Sequence, residues 1–187
     1  MKLLTPDRPE WLTLVAEWLA RKENYQWLDF GDGRQIASPE WLKIAMQRGT
    51  QVLRMFTSDS GETPIGVVGL GNVNRHFKSG TLWVVLGDKA YAGQGYASRA
   101  VSGMLTIGFD EIGLRAINTW IVENNPSIRV AERVMFRPIG RQRQCHYIDG
   151  HAYDRLWFDL LASEHANTSQ RSTLKIETGD SSVNSPW

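Results

Sequence analysis

The segment Leu86-Gly87-Asp88-Lys89-Ala90-Tyr91-Ala92-Gly93-Gln94-Gly95-Tyr96-Ala97-Ser98 runs from an apolar, strand-like stretch through a glycine-bearing loop into helix-forming residues. At a helix start the first backbone N–H groups lack intrahelical acceptors and the helix dipole adds partial positive charge, so such a junction stabilises an anion, a diphosphate above all. Gly93 and Gly95 let backbone approach phosphate closely, Ala97 keeps bulk away from the helix mouth, and the Ser98 hydroxyl adds a donor. By itself a Gly-x-Gly also describes a plain strand-to-helix turn or a dinucleotide site. The dinucleotide reading weakens because three strands with antiparallel turn signals precede the motif, where that fold needs an early strand-helix-strand unit.

A second group is Glu123-Asn124-Asn125-Pro126-Ser127, between a strand and a helix. The Ser127 hydroxyl can cap the helix or give a proton to a leaving group. The Asn124 amide can serve a ligand or simply open the helix. Proton removal has three candidates: Glu123, His76, whose side-chain type titrates near about 6.5, and a water chain. Trp27, Asp29, Phe30 and Asp32 can attract a cationic amine through ring faces and carboxylates, although core packing accounts for most of the 8 tryptophans. Arg137, Arg141, Arg143 and Arg155 either reach a phosphate or an acidic acceptor, or lie solvated at strand ends. Cys145, flanked by Gln144 and His146, lacks an identifiable dyad partner, and no Cys/His cluster has metal-ligand spacing, so no metal is expected.

The elements that must carry these residues follow from periodicity. Trp11, Leu14, Val15, Trp18 and Leu19 predict a helix from Glu10 to Lys22; Ser38 and Pro39 open a second one that closes at Gly49. Gln51 to Thr57, Pro64 to Asn74 and Gly80 to Leu86 read as three antiparallel strands. A helix from about Gly95 to Gly113, a buried strand Ala116 to Val122 and a helix from Pro126 to Arg137 come next. Strands Gly140 to Ile148 and Tyr153 to Leu161 then pair across an Asp149-Gly150 turn. Helices interleaved with strands in this order predict a mixed α/β domain over residues 1–164, followed by a disordered polar tail over 165–187.

With 42% apolar and 22% charged residues, the chain is neither disordered nor membrane-spanning in composition, and no apolar run nears the roughly 20 residues a transmembrane helix needs. A net charge of +1 supplies no general field for nucleic acid or an anionic membrane, so a small molecule or a protein is the expected partner. No signal-peptide pattern opens the chain, and its single cysteine cannot form an intramolecular disulfide, which together predict a cytoplasmic protein, as monomer or homodimer.

Ala92-Gly93-Gln94-Gly95-Tyr96-Ala97 is similar to the acyl-CoA loop (Arg/Gln)-x-x-Gly-x-(Gly/Ala) of the GCN5-related N-acetyltransferases, with Ala92 at the first position. Asn124 to Ser127, with Arg129, Ala131, Glu132, Met135 and Phe136, resembles the family's Asn-x-x-Ser helix that ends in Gly-Phe, Met135 replacing the glycine. Ile148 to Leu161 resembles the closing hairpin of the ribosomal-protein N-acetyltransferase branch, and the likeness spans Pro64 to Leu161. It implies a mostly antiparallel twisted sheet of about six to seven strands flanked by helices, with a splayed strand pair that admits pantetheine. It further implies acetyl-CoA as cosubstrate, held by Gly93, Gln94, Gly95, Tyr96, Ala97 and Ser98 at the pyrophosphate, by backbone near Val85 and Leu86, and by Asn124. The implied reaction is direct attack of a neutral primary amine, on a small molecule or a protein N-terminus, on the thioester, with Ser127 as acid. Two family positions differ: Ala131 stands where many relatives carry a tyrosine acid, and Thr81-Leu82-Trp83-Val84-Val85 lacks their glutamate base. A longer acyl donor, or a non-catalytic acyl-CoA-binding module, are the alternatives.

Overall fold

The structure, a computed structural model, describes residues 1–29, 37–61 and 63–165. Phe30 and Asp32, and the stretch from 166 to 187 that was expected as a tail, lie outside the described residues. Seven strands form one sheet in the order β1-β2-β3-β4-β5-β7-β6, with every neighbouring pair antiparallel except β4 and β5. They are β1 (Leu3–Leu4), β2 (Val52–Thr57), β3 (Pro64–Asn74), β4 (Ser79–Leu86), β5 (Ala116–Val122), β6 (Arg137–Ile148) and β7 (His151–Leu161). The helices are α1 (Pro9–Ala20), α2 (Lys22–Tyr25), α3 (Pro39–Gln47), α4 (Tyr96–Thr106) and α5 (Ile128–Arg133).

Helices cover both faces because alternate strand residues are apolar on each side. On one face Leu70, Leu82 and Ile117 pack under Val101, Met104 and Leu105 of α4. On the other, Leu53, Met55, Val67 and Val85 meet Leu12, Val15 and Trp18 of α1 and Leu42 of α3. A side chain at Gly87 would collide with the Trp18 indole, so the glycine just past β4 is what lets α1 sit on the strand's end.

Several elements depart from expectation in instructive ways. The first helix stops at Ala20, not Lys22, because Arg21 turns extended and donates from Nη1 to the Gly87 carbonyl at 3.0 Å; α2 then starts afresh. The two-residue β1 is too short to show a period. Beyond Thr106 the expected long helix becomes a π-turn, Ile107–Glu111, which sets Gly108 tight against Ile117 and Leu70 before Gly113 ends it at φ +79°. The last helix was expected to reach Arg137 but ends after Arg133, since Met135 adopts the left-handed conformation (φ +69°) and Phe136 N–H returns to the Ala131 carbonyl at 3.0 Å. Strand β6 therefore begins at Arg137, ahead of the expected Gly140, and β7 at His151. Asp149 and Gly150 both have positive φ, as a two-residue type I′ hairpin turn requires. His165 still belongs to the described fold, its ring 5.3 Å from that of Phe109. Among the described residues no helix is long and apolar enough to cross a membrane.

Candidate active site

Strands β4 and β5 pair only at Ser79–Ala116, Gly80–Ile117 and Thr81–Asn118. Past that point β4 continues to Leu86 and β5 to Val122 without pairing to each other, and a cavity of about 960 Å³ occupies the gap. Which groups face the gap follows from alternation. Gly87 N–H bonds to the Ile65 carbonyl, so odd-numbered residues of β4 direct their peptide groups to β3, and those of Leu82, Val84 and Leu86 face β5. Val85, expected as a backbone ligand, turns its peptide groups toward Val67, while its neighbour Leu86 presents its own to the gap. Two of the three gap-facing carbonyls have side-chain partners: Thr119 Oγ1 donates to Leu82 O at 2.9 Å, and Lys89 Nζ to Leu86 O at 2.8 Å. Lys89 also bonds the Asn24 side chain of α2, and burial pushes its pKa below the ordinary lysine value.

At the wide end, Asp88 accepts from Ala90 N–H at 3.0 Å and folds Lys89–Tyr91 into a 3₁₀ turn. Gly93 (φ +76°) and Gly95 (φ +81°) then reverse the chain into α4. The first helical bond runs from Arg99 N–H to Gly95 O at 3.1 Å, which leaves the amides of Tyr96, Ala97 and Ser98 without intrahelical acceptors. Gly93, Gly95, Tyr96, Ala97 and Ser98 all line the cavity; Gln94 instead bonds back to the Ala90 carbonyl at 3.2 Å and is not part of the lining. Behind this turn Arg99 holds Asp59 through both carboxylate oxygens, at 2.9 and 2.6 Å, and Asp59 meets the Tyr96 hydroxyl at 3.4 Å. The Arg99 hydrogen bonds keep the Asp59 carboxyl well below the usual carboxylate range.

Opposite the turn, Arg129 and Arg133 of α5 line the cavity, and neither pairs with a carboxylate among the described residues. The arginines that the sequence drew attention to are committed elsewhere: Arg137 to Glu164 at 2.9 Å, Arg141 to Asp154 at 3.0 Å and Arg155 to Asp29 at 3.0 Å. Arg143 is likewise outside the lining. The missed signal was the i, i+4 spacing of Arg129 and Arg133 on the helix that follows Ser127.

At the end of β5 the buried Asn125 accepts Ser127 N–H at 2.8 Å, and both residues line the cavity. The Ser127 hydroxyl makes no capping bond. Asn124 is exposed in the left-handed conformation (φ +68°) and lies outside the lining. Glu123 is also outside it, its Oε1 accepting Asp154 N–H at 3.0 Å. His76 sits exposed in the β3–β4 turn against Phe77, and Cys145 Sγ meets the Gln142 carbonyl at 3.3 Å; neither lines the gap.

The lining also holds four tryptophans, Trp27, Trp41, Trp83 and Trp120, and two acidic residues, Glu23 and Asp29. Trp83 packs against Gly69, where a side chain would strike the indole. The Arg155 guanidinium stacks 3.9 Å from the Trp120 ring centroid and donates to His146 Nδ1 at 3.1 Å. His146 thus carries its proton on Nε2, which meets the Gln26 carbonyl at 2.6 Å and ties the chain after α2 to the β5–β7–β6 edge. Among the described residues no His, Cys, Asp and Glu cluster could hold a metal ion.

An anion cradle at a helix start, two guanidinium groups and a gap with free strand edges fit a nucleotide diphosphate that carries an extended amide arm. Comparison with known proteins gives the class. Residues 3–137 match the acetyltransferase (GNAT) domain family, and the chain belongs to that family. Its relatives include the prophage-derived uncharacterized N-acetyltransferase YokL of Bacillus subtilis, 27% identical over 67% of this chain and 70% of that protein. Another is YdaF of Bacillus subtilis, provisionally named a ribosomal N-acetyltransferase, 30% identical over 80% of this chain and 79% of that one. The spermidine N-acetyltransferase of Vibrio cholerae, solved with CoA and spermine, shares the fold with a TM-score of 0.77 at 18% identity, covering 89% of this chain and 98% of its own. The activity is acetyl transfer from acetyl-CoA to an amine.

Proposed function

We propose that the acceptor is a small cationic amine bound by the cavity's tryptophans. One observation carries this reading: a single cavity between the parted strands is lined by the start of α4 with Arg129 and Arg133 and also by four indoles and two carboxylates. Indole faces attract an ammonium group and the exposed Glu23 carboxylate adds to its local concentration, whereas Asp29 is already paired with Arg155.

In this reading the amides of Tyr96, Ala97 and Ser98, with Arg129 and Arg133, hold the diphosphate of acetyl-CoA, and the gap-facing edge of β4 at Val84 and Leu86 meets the pantetheine arm. The cosubstrate supplies a thioester carbonyl open to attack. Ser127, which lines the cavity and makes no capping bond, gives a proton to the thiolate in this reading. Asn125, more than Asn124, is the amide that shapes this corner, by fixing the Ser127 backbone. No carboxylate on β4 serves as base; positioning of the amine's neutral fraction and proton loss to water take that part. Residues 1–164 act as one catalytic domain, in the cytoplasm.

The test is a panel of polyamines, neutral amines and N-terminal peptides with acetyl-CoA, followed by thiol release. Cationic amines are expected to give the highest kcat/KM, with KM rising at least about tenfold in Trp27→Ala and Trp41→Ala, as loss of a desolvated cation–π contact of about 2 kcal/mol requires. Turnover confined to peptides, or KM values untouched by both substitutions, would reject the assignment.

A further inference from the structure

We propose that the hydroxyl of Thr119 is the device that ends the β4–β5 ladder, making Thr119 a positioning residue for the acetyl donor. The inference rests on the reading of the parted strands as the donor groove.

Continuing the parallel register one rung past Thr81–Asn118 would bring the Trp120 backbone N–H to the Leu82 carbonyl. Both groups do face the gap. On β5, Glu123 N–H bonds Asp154 O and Ala162 N–H bonds Arg115 O, so odd residues pair with β7 and even ones, Trp120 included, turn toward β4. The rung is replaced: Thr119 Oγ1 donates to Leu82 O at 2.9 Å, and Thr119 is itself buried in the cavity wall. A carbonyl that already has a donor is not left unpaired when the facing amide moves away, which removes the largest penalty for ending the ladder at that point. The hydroxyl therefore satisfies the carbonyl from the side while the backbones diverge. The peptide edges of Val84 and Trp120 stay available to a bound chain. Lys89 does the same for Leu86 at the far end, which brackets the open stretch of β4 between two side-chain donors.

Thr119→Val keeps the shape and removes the donor. With its hydroxyl gone, Leu82 O recruits the Trp120 amide, the ladder gains a rung and the groove narrows at its apex. Three readouts follow: slower hydrogen exchange at the Trp120 amide, CoA affinity by calorimetry reduced at least about tenfold, and a matching loss in kcat, all restored to within about twofold by Thr119→Ser. A purely structural role would change thermal stability without changing exchange at that one amide. The proposal is overturned if the valine variant binds CoA and turns over within about twofold of the parent, or if serine is as damaging as valine. Should the valine variant not fold, the parent protein decides: a Trp120 amide as protected as that of Asn118, inside the paired segment, also overturns it. Failure of the parent to bind CoA at all would instead remove the donor-groove reading itself.

Discussion

Arg133 of α5 lies with its Nη1 3.8 Å from the position a β-carbon would take on Gly95, the left-handed residue that caps the start of α4. A guanidinium and three free helix amides therefore converge on one small volume. Gly95→Glu would strain a backbone that side chains rarely adopt and would set a carboxylate beside Arg133, at the proposed phosphate site. CoA affinity by calorimetry is expected to fall more than about thirtyfold, and in Arg133→Ala about tenfold, the worth of a charge-assisted hydrogen bond. Unchanged affinity in both variants would show the phosphates bind elsewhere.

Ser127 separates capping from catalysis. The serine side chain makes no bond to the amides of α5, and the Asn125 carboxamide holds the turn in its place. Ser127→Ala is thus expected to leave the melting temperature within about 2 °C and CoA affinity within about twofold, while kcat drops by roughly 10²-fold, the usual contribution of a positioned acid. A melting shift as large as that of a lost helix cap, with kcat preserved, would assign the residue to structure.

Much of the fold is legible in the sequence because period and punctuation agree: β2, β3, β4, β5 and α1 begin and end within a residue or two of their apolar runs, and Asp149-Gly150 specifies its hairpin turn. The glycine loop is legible for the same reason, since Gly93 and Gly95 are chosen by backbone conformation that only local chain geometry sets. What could not be read depends on register across the sheet. That Val85 faces β3 while Leu86 faces the gap, or that Thr119 reaches Leu82, follows from pairing partners far apart in the chain. Likewise Glu123 looks free in sequence but is taken by Asp154, and Asn125 rather than its neighbour turns inward, because Asn124 absorbs the left-handed turn.

Asp59 gives a pH signature. Its carboxyl is held below its ordinary value of 3.8 by hydrogen bonds from Arg99, so the folded state keeps it ionised where the unfolded chain would protonate it. For a depressed acid, the stabilisation is fully present above the unfolded pKa and is lost as pH falls through the folded one. Because the pair is exposed, salt weakens it. Urea midpoints of the parent and of Asp59→Asn are expected to differ at pH 6, the difference shrinking as pH falls below 3.8 and vanishing only as pH passes through the lower folded-state value. A gap between the two proteins that is constant across that range would show the carboxylate contributes through packing alone.

Met135 carries a cost that a single substitution can remove. It is a non-glycine residue at φ +69°, and the left-handed conformation disfavours a side chain by about 1 kcal/mol. The conformation is required, since Phe136 N–H must return to the Ala131 carbonyl for β6 to leave α5 at Arg137. The methionine is 58% exposed, so its removal forfeits little buried apolar surface. Glycine also loosens the unfolded chain, which offsets part of the gain. Met135→Gly is therefore expected to stabilise the protein by about 0.5–1 kcal/mol in urea unfolding, with the denaturant slope unchanged and CoA affinity intact. Destabilisation of similar size would mean that the exposed thioether shields α5 in a way its surface exposure does not reveal.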